Sequence, residues 1–140
     1  AAAVDTAIEK DVIIMNEKRR ILVVEDEQDI STYLAALLED NGYEVITADN
    51  GIAGLEIARS QAPDLITLDM ALPDQSGVRT YRKYKEDPQL QKIPVIIVTG
   101  VGDSMRSYLK KLKGFPEPEG FMNKPIDEEK LLAMVQGLLT

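Results

Sequence analysis

The sequence contains neither cysteine nor histidine. The first absence removes disulfides, thiolate metal sites and cysteine nucleophiles, and it fits a reducing compartment. The second removes imidazole acid–base chemistry, imidazole-bound zinc and any phosphohistidine carried by the chain itself. Positive charge is also short: 16 Lys and Arg stand against 24 Asp and Glu, a net charge of −8. That balance disfavours a direct nucleic-acid footprint and favours cationic ligands or basic partner surfaces. No apolar run approaches the length that spans a bilayer, and near the start there is the short run 12–15. Without a charged n-region no secretory signal peptide is expected, and a cytoplasmic location follows by default.

What is present reads as one globular unit. A chain of 140 residues with 44% apolar and 29% charged residues is long enough to bury a sizeable core and short enough for a single domain. From Arg20 onward, short apolar runs alternate with amphipathic segments, the pattern of βα units and a parallel sheet. The runs 21–24, 64–68 and 93–98 are almost continuously apolar, as central strands covered on both faces must be. The runs 44–48 and 120–123 are weaker and read as strands nearer the sheet edges. Ile30, Tyr33, Leu34, Leu37 and Leu38 recur at helical spacing, with Gly42 as a C-terminal stop. Asp127 is placed to cap a last helix whose buried stripe is Leu131, Leu132, Val135, Leu138 and Leu139. Segments 52–59, 77–86 and 104–112 complete five helices.

The right-handed crossover rule folds such units into an α/β, doubly wound, flavodoxin-like (βα)5 sandwich. Its parallel sheet is expected in the order 2-1-3-4-5 with helices on both faces. Residues 19–140 form this domain, and residues 1–18 read as an N-terminal extension, linker or expression remnant, with Met15 a candidate native start.

All strands of a parallel sheet point the same way, so the residues that follow them gather along one edge. Here those residues are Glu25 and Asp26, then Asp69, then Thr99 and Gly100, then Lys124 and Pro125. Three carboxylates brought together repel one another and raise one another's pKa unless a cation neutralises them, and hard oxygen donors suit Mg²⁺ or Mn²⁺. Lys124 adds a mobile positive charge and Thr99 a hydroxyl donor, completing what phosphoryl transfer onto a carboxylate needs. Asp69 is the best acceptor because it ends a central strand. Taken singly, each residue has an ordinary reading: the acid pair caps a helix, Asp69 and Thr99 leave a strand, and Lys124 is a solvated charge. Their arrival at one edge from four strand ends argues against coincidence.

The motifs that carry these residues are Ile-Leu-Val-Val-Glu-Asp-Glu at 21–27, Asp-Leu-Ile-Thr-Leu-Asp-Met-Ala-Leu-Pro at 64–73 followed by Ser76 and Gly77, Pro-Val-Ile-Ile-Val-Thr-Gly at 94–100, and Asn-Lys-Pro at 123–125. Together they resemble the receiver domains of two-component response regulators, over essentially the whole stretch 20–140. The resemblance implies that Asp69 is the phosphoacceptor and that Glu25, Asp26, Asp69 and the backbone carbonyl of Ala71 bind Mg²⁺ directly or through water. It further implies that Thr99 and Lys124 contact the phosphoryl group and that Phe121 is the aromatic switch residue that answers Thr99. The phosphodonor would be a sensor histidine kinase or a histidine phosphotransfer protein, and the readout a downstream effector; a homodimer is compatible with it. Such a domain catalyses its own phosphorylation and dephosphorylation without being a conventional enzyme.

The sequence departs from the family pattern at several points. Ala71 and Val101 stand where polar side chains are frequent, and Gly100 replaces a common alanine. The stretch 110–119 is longer and richer in proline than usual. Three other readings compete with this one. A degenerate receiver that docks partners without phosphorylation is disfavoured by the intact acid set. A haloacid-dehalogenase-type phosphatase wants a second acid where Ala71 stands. A flavin-binding module of this fold would set Glu25 and Asp26 against the cofactor's phosphate.

Overall fold

The computed structural model describes residues 18–140 apart from 75, 113 and 115. The extension expected over residues 1–18 therefore lies, except for Lys18, outside the described residues. Strands β1 (Arg20–Val24), β2 (Glu44–Ala48), β3 (Leu65–Leu68), β4 (Val95–Thr99) and β5 (Gly120–Asn123) alternate with helices α1 (Gln28–Asp40), α2 (Gly51–Gln61), α3 (Gly77–Glu86), α4 (Gly102–Lys111) and α5 (Glu128–Leu139). The strands form one parallel sheet in the order β2-β1-β3-β4-β5. The expected flavodoxin-like architecture is found, with the two weak runs at the two edges. No helix among the described residues is long and apolar enough to cross a membrane.

The alternation of side chains along each strand explains the three layers. Leu22, Val24, Ile66, Leu68, Val95 and Ile97 turn to one face, where they meet Leu55 and Ala58 of α2, Tyr81 and Tyr84 of α3, and Leu109 of α4. Ile21, Val23, Leu65, Ile96 and Val98 turn to the other, against Leu34 and Leu38 of α1 and Leu131 and Val135 of α5. β1, β3 and β4 are buried on both faces, which is why their sequences are continuously apolar.

Helix ends follow local chemistry. Asn50 caps α2 by accepting from the Ala53 N–H at 2.8 Å, Ser76 caps α3 through the Arg79 N–H at 3.1 Å, and Asp127 caps α5 through the Lys130 N–H at 3.1 Å. Gly42, at φ +93°, takes the left-handed conformation that turns the chain from α1 into β2.

The proline-rich connection before β5 is tied to α3. Tyr81 donates its hydroxyl to the Pro116 carbonyl at 2.6 Å. Lys85, with its side chain 2% exposed, meets Glu119 Oε1 at 2.7 Å, and Glu119 Oε2 accepts the Val95 N–H at 2.8 Å.

Candidate functional site

The site begins with the carboxyl ends of the central strands. β1 pairs with β3 on one side and β2 on the other, and beyond the last paired residues the Asp69 N–H still donates to the Val24 carbonyl at 3.0 Å and the Glu25 N–H to the Ala48 carbonyl at 2.9 Å. The sheet's own ladder thus delivers both acids to one rim. One carboxylate oxygen from each of Glu25, Asp26 and Asp69 lies within 4.8 Å of the others. Glu25 and Asp69 are buried and Asp26 is exposed. The group therefore has two inner donors and one that opens to solvent.

Lys124 reaches this cluster from the end of β5. Its backbone N–H donates to the Thr99 carbonyl at 2.9 Å, which fixes its root. Its Nζ sits 2.6 Å from Glu25 Oε1, 3.7 Å from Asp69 Oδ2 and 3.7 Å from Glu27 Oε1. The acid pair is therefore not a helix cap: the N-cap of α1 is Glu27, which makes no side-chain capping bond, and Glu25 instead faces the lysine.

Burial pushes the Glu25 carboxyl up to about 7; the Lys124 hydrogen bond opposes this and the neighbouring Asp69 adds to it. Burial draws the Lys124 ammonium down, but Glu25, Asp69 and Glu27 outweigh that and hold it above the usual lysine range. One cation facing two buried acids and an exposed one leaves surplus negative charge. All the side-chain donors are hard carboxylate oxygens, so the residues present fit a divalent ion of the Mg²⁺ class.

Thr99 ends β4 and is fully buried. The register Leu68 to Ile97 sets Asp69 level with Val98, one residue short of Thr99 on the adjacent strand. The Thr99 hydroxyl accepts from the Val101 N–H at 3.5 Å. Phe121 lies opposite Ile97 in β5, half-buried, with the Arg106 guanidinium 6.0 Å from its ring centre. Ala71 and Val101 are exposed beside the rim, and nothing stands within 4 Å of a Cβ built on Gly100, so this side of the site is open.

The loop from Asp69 to α3 is held closely. Ala71 donates its N–H to Asp69 Oδ1 at 3.2 Å, and Gly77 donates to the Met70 carbonyl at 3.1 Å. A Cβ on Gly77 would stand 2.3 Å from the Met70 Cα, so only glycine permits this closure. Sequence reasoning missed Asp74 in this loop. Its two carboxylate oxygens accept from the Gly51 N–H at 2.8 Å and the Ile52 N–H at 2.9 Å. An Asp following a proline reads as a turn residue, and nothing in the spacing points to a helix that precedes it by more than twenty positions.

This fold, with acids, hydroxyl and lysine converging on one sheet edge, defines a receiver-type signalling module. The chain belongs to the response regulator receiver domain family, whose sequence profile matches residues 21–136. It is 34% identical to protein PilH of Pseudomonas aeruginosa over 120 residues, covering 86% of this chain and 97% of that protein. It is 36% identical over 121 residues to the DNA-binding dual master transcriptional regulator RpaA of Synechocystis, covering 86% of this chain but 48% of that protein. Its structure resembles that of the chemotaxis response regulator CheY4 of Vibrio cholerae, with a TM-score of 0.76, 26% identity, and coverage of 87% of this chain and 99% of that one. Relatives thus include proteins of about this length and longer proteins of which this chain spans half.

Proposed function

We propose that this domain takes a phosphoryl group from a partner's phosphohistidine onto Asp69 and passes the resulting change of state to a downstream partner. The observation that supports this best is the cluster of Glu25, Asp26 and Asp69 oxygens within 4.8 Å, with Lys124 Nζ 2.6 Å from Glu25 and 3.7 Å from Asp69. Glu25, Asp26, Asp69 and the Ala71 carbonyl would hold Mg²⁺, which when bound offsets the negative charge of the phosphoryl oxygens. An Asp69 carboxylate oxygen forms the new bond to phosphorus as the phosphorus–nitrogen bond of the donor breaks, and the leaving imidazole takes up a proton. Lys124 exchanges part of its contact with Glu25 for a phosphoryl oxygen, and the Thr99 hydroxyl donates to another.

The acyl phosphate favours one of two pre-existing conformers rather than a new fold. Phe121, half-buried on the strand beside Thr99, is the residue proposed to answer that shift. The donor is a sensor histidine kinase or a histidine phosphotransfer protein, and a cytoplasmic setting belongs to the same proposal.

Intact-mass measurement after incubation with Mg²⁺ and acetyl phosphate tests the reading. One added phosphoryl group is expected, absent from Asp69→Asn and abolished by a chelator. No addition with small donors or a phosphohistidine donor would leave a receiver that docks partners without being phosphorylated.

A further inference from the structure

We infer that Asp74 is a positioning residue for the metal and phosphoryl site, holding the Asp69 loop in register by a latch to the N-terminus of α2. The inference rests on the proposed role of that site. Helix α2 already has its own cap, since Asn50 accepts from the Ala53 N–H at 2.8 Å. Asp74 comes from a different element, 23 residues from Gly51 in sequence, and spends both oxygens on α2: 2.8 Å to the Gly51 N–H and 2.9 Å to the Ile52 N–H. Two bonds to a full negative charge, at the positive end of a helix dipole, make a strong tether.

What the tether holds is the loop that carries the site. Its feet are closed on each other where Gly77 meets Met70, with no room for a side chain between them. Met70 and Leu72 are anchored in the core. Asp74 fixes the outer end. Between these anchors lies Ala71, exposed, with its N–H on Asp69 Oδ1 at 3.2 Å. A loop released at Asp74 can tilt about its feet, and the tilt displaces Ala71 relative to Asp69, the two positions that would supply a carbonyl and a carboxylate to one ion. Residues acting through a ligand in this way commonly alter metal affinity by about tenfold or more.

Asn50 provides a matched control, because Asn50→Ala removes a bond from the same helix end without touching the loop. The test compares wild type, Asp74→Ala, Asp74→Asn and Asn50→Ala by thermal melting, by Mg²⁺ titration calorimetry and by hydrogen exchange at the Gly51 and Ile52 amides. Asp74→Ala loses two charge-assisted bonds and Asn50→Ala one neutral bond, so both should lower Tm and Asp74→Ala by the larger amount. Asp74→Ala should weaken Mg²⁺ binding about tenfold and expose both amides to exchange, with Asp74→Asn intermediate. Asn50→Ala should bind Mg²⁺ within about twofold of wild type.

Equal Mg²⁺ affinity in Asp74→Ala and wild type, or equal losses in Asp74→Ala and Asn50→Ala, would overturn the positioning role while leaving the site's reading intact. Failure of wild type to bind Mg²⁺ at millimolar concentration would overturn both. Should Asp74→Ala not fold, the comparison of Asp74→Asn with Asn50→Ala decides the question.

Discussion

Lys124 Nζ lies 2.6 Å from Glu25 Oε1 and 3.7 Å from Asp69 Oδ2, so a single ammonium is shared unequally between two buried carboxylates. The lysine rests on the neighbouring acid, and its contact with the proposed acceptor is the longer of the two.

The first prediction concerns that sharing. Lys124→Met removes a cation that competes with a divalent ion for the same oxygens and also removes a group proposed to meet the phosphoryl oxygens. Mg²⁺ should bind the variant at least as tightly as wild type and raise its Tm by a larger increment. Phosphorylation by acetyl phosphate should slow by about tenfold or more. Loss of Mg²⁺ binding together with phosphorylation would instead make the lysine an organiser of the acids.

The second is a pH dependence. The Glu25 carboxyl is pushed up to about 7 from 4.5, chiefly by burial, so the folded protein binds this proton more strongly than the unfolded chain does. The contribution of Glu25 to stability is therefore fully present below pH 4.5 and is lost as pH rises through about 7. Because the chain has no histidine, few other groups titrate between pH 5 and 7. Metal-free protein should lose Tm across that window, and Glu25→Gln should flatten the profile. Mg²⁺ binding near neutral pH should release a proton, measurable by calorimetry in buffers of different ionisation enthalpy.

The third addresses a buried hydroxyl. Tyr84 is fully buried in the core between the sheet and α3, and its hydroxyl has no hydrogen-bond partner among the described residues. Burial pushes its ionisation well above the usual tyrosine range, so the group stays neutral. Tyr84→Phe should stabilise the protein by about 1 kcal/mol in chemical denaturation. A Cβ on Gly54 would lie 2.8 Å from that hydroxyl and 3.0 Å from a Val24 methyl. Gly54→Ala should therefore destabilise by about 1–3 kcal/mol, and less in a Tyr84→Phe background.

The fourth tests the joint between α3 and β5. Lys85 Nζ donates to Glu119 Oε1 at 2.7 Å, to the Ile93 carbonyl at 3.2 Å and to the Gln91 carbonyl at 3.4 Å. Lys85→Met strips a cation from three acceptors at once and should destabilise by about 3 kcal/mol in urea unfolding. The double variant with Glu119→Gln should recover part of the loss. Additive losses would show that the two side chains act independently.

The sheet order, the edge strands and the converging strand ends were legible in the sequence because periodicity and the geometry of a parallel sheet determine them together. Continuous burial made 21–24 and the 95–98 part of the run 93–98 readable, and Asp127 and Gly42 announced their turns by residue type. The contacts of Lys85 and Asp74 were not legible. Lys85 lies in a helix rich in basic residues, where a charge reads as solvated, and its partners come from later segments. Asp74 binds main-chain amides, which leave no trace in side-chain spacing. The missing partner of the Tyr84 hydroxyl was not legible either, since an unsatisfied hydroxyl depends on three-dimensional neighbours.

The sheet also works as a partition. Thr99 shares its strand face with Val95 and Ile97, and Phe121 packs on that same side, which it shares with α2, α3 and α4. The compartment behind, built on α1 and α5, is a separate cluster. The rearrangement proposed to begin at Thr99 would therefore enter one chamber, and the other cluster, sharing none of its side chains, would have no need to repack.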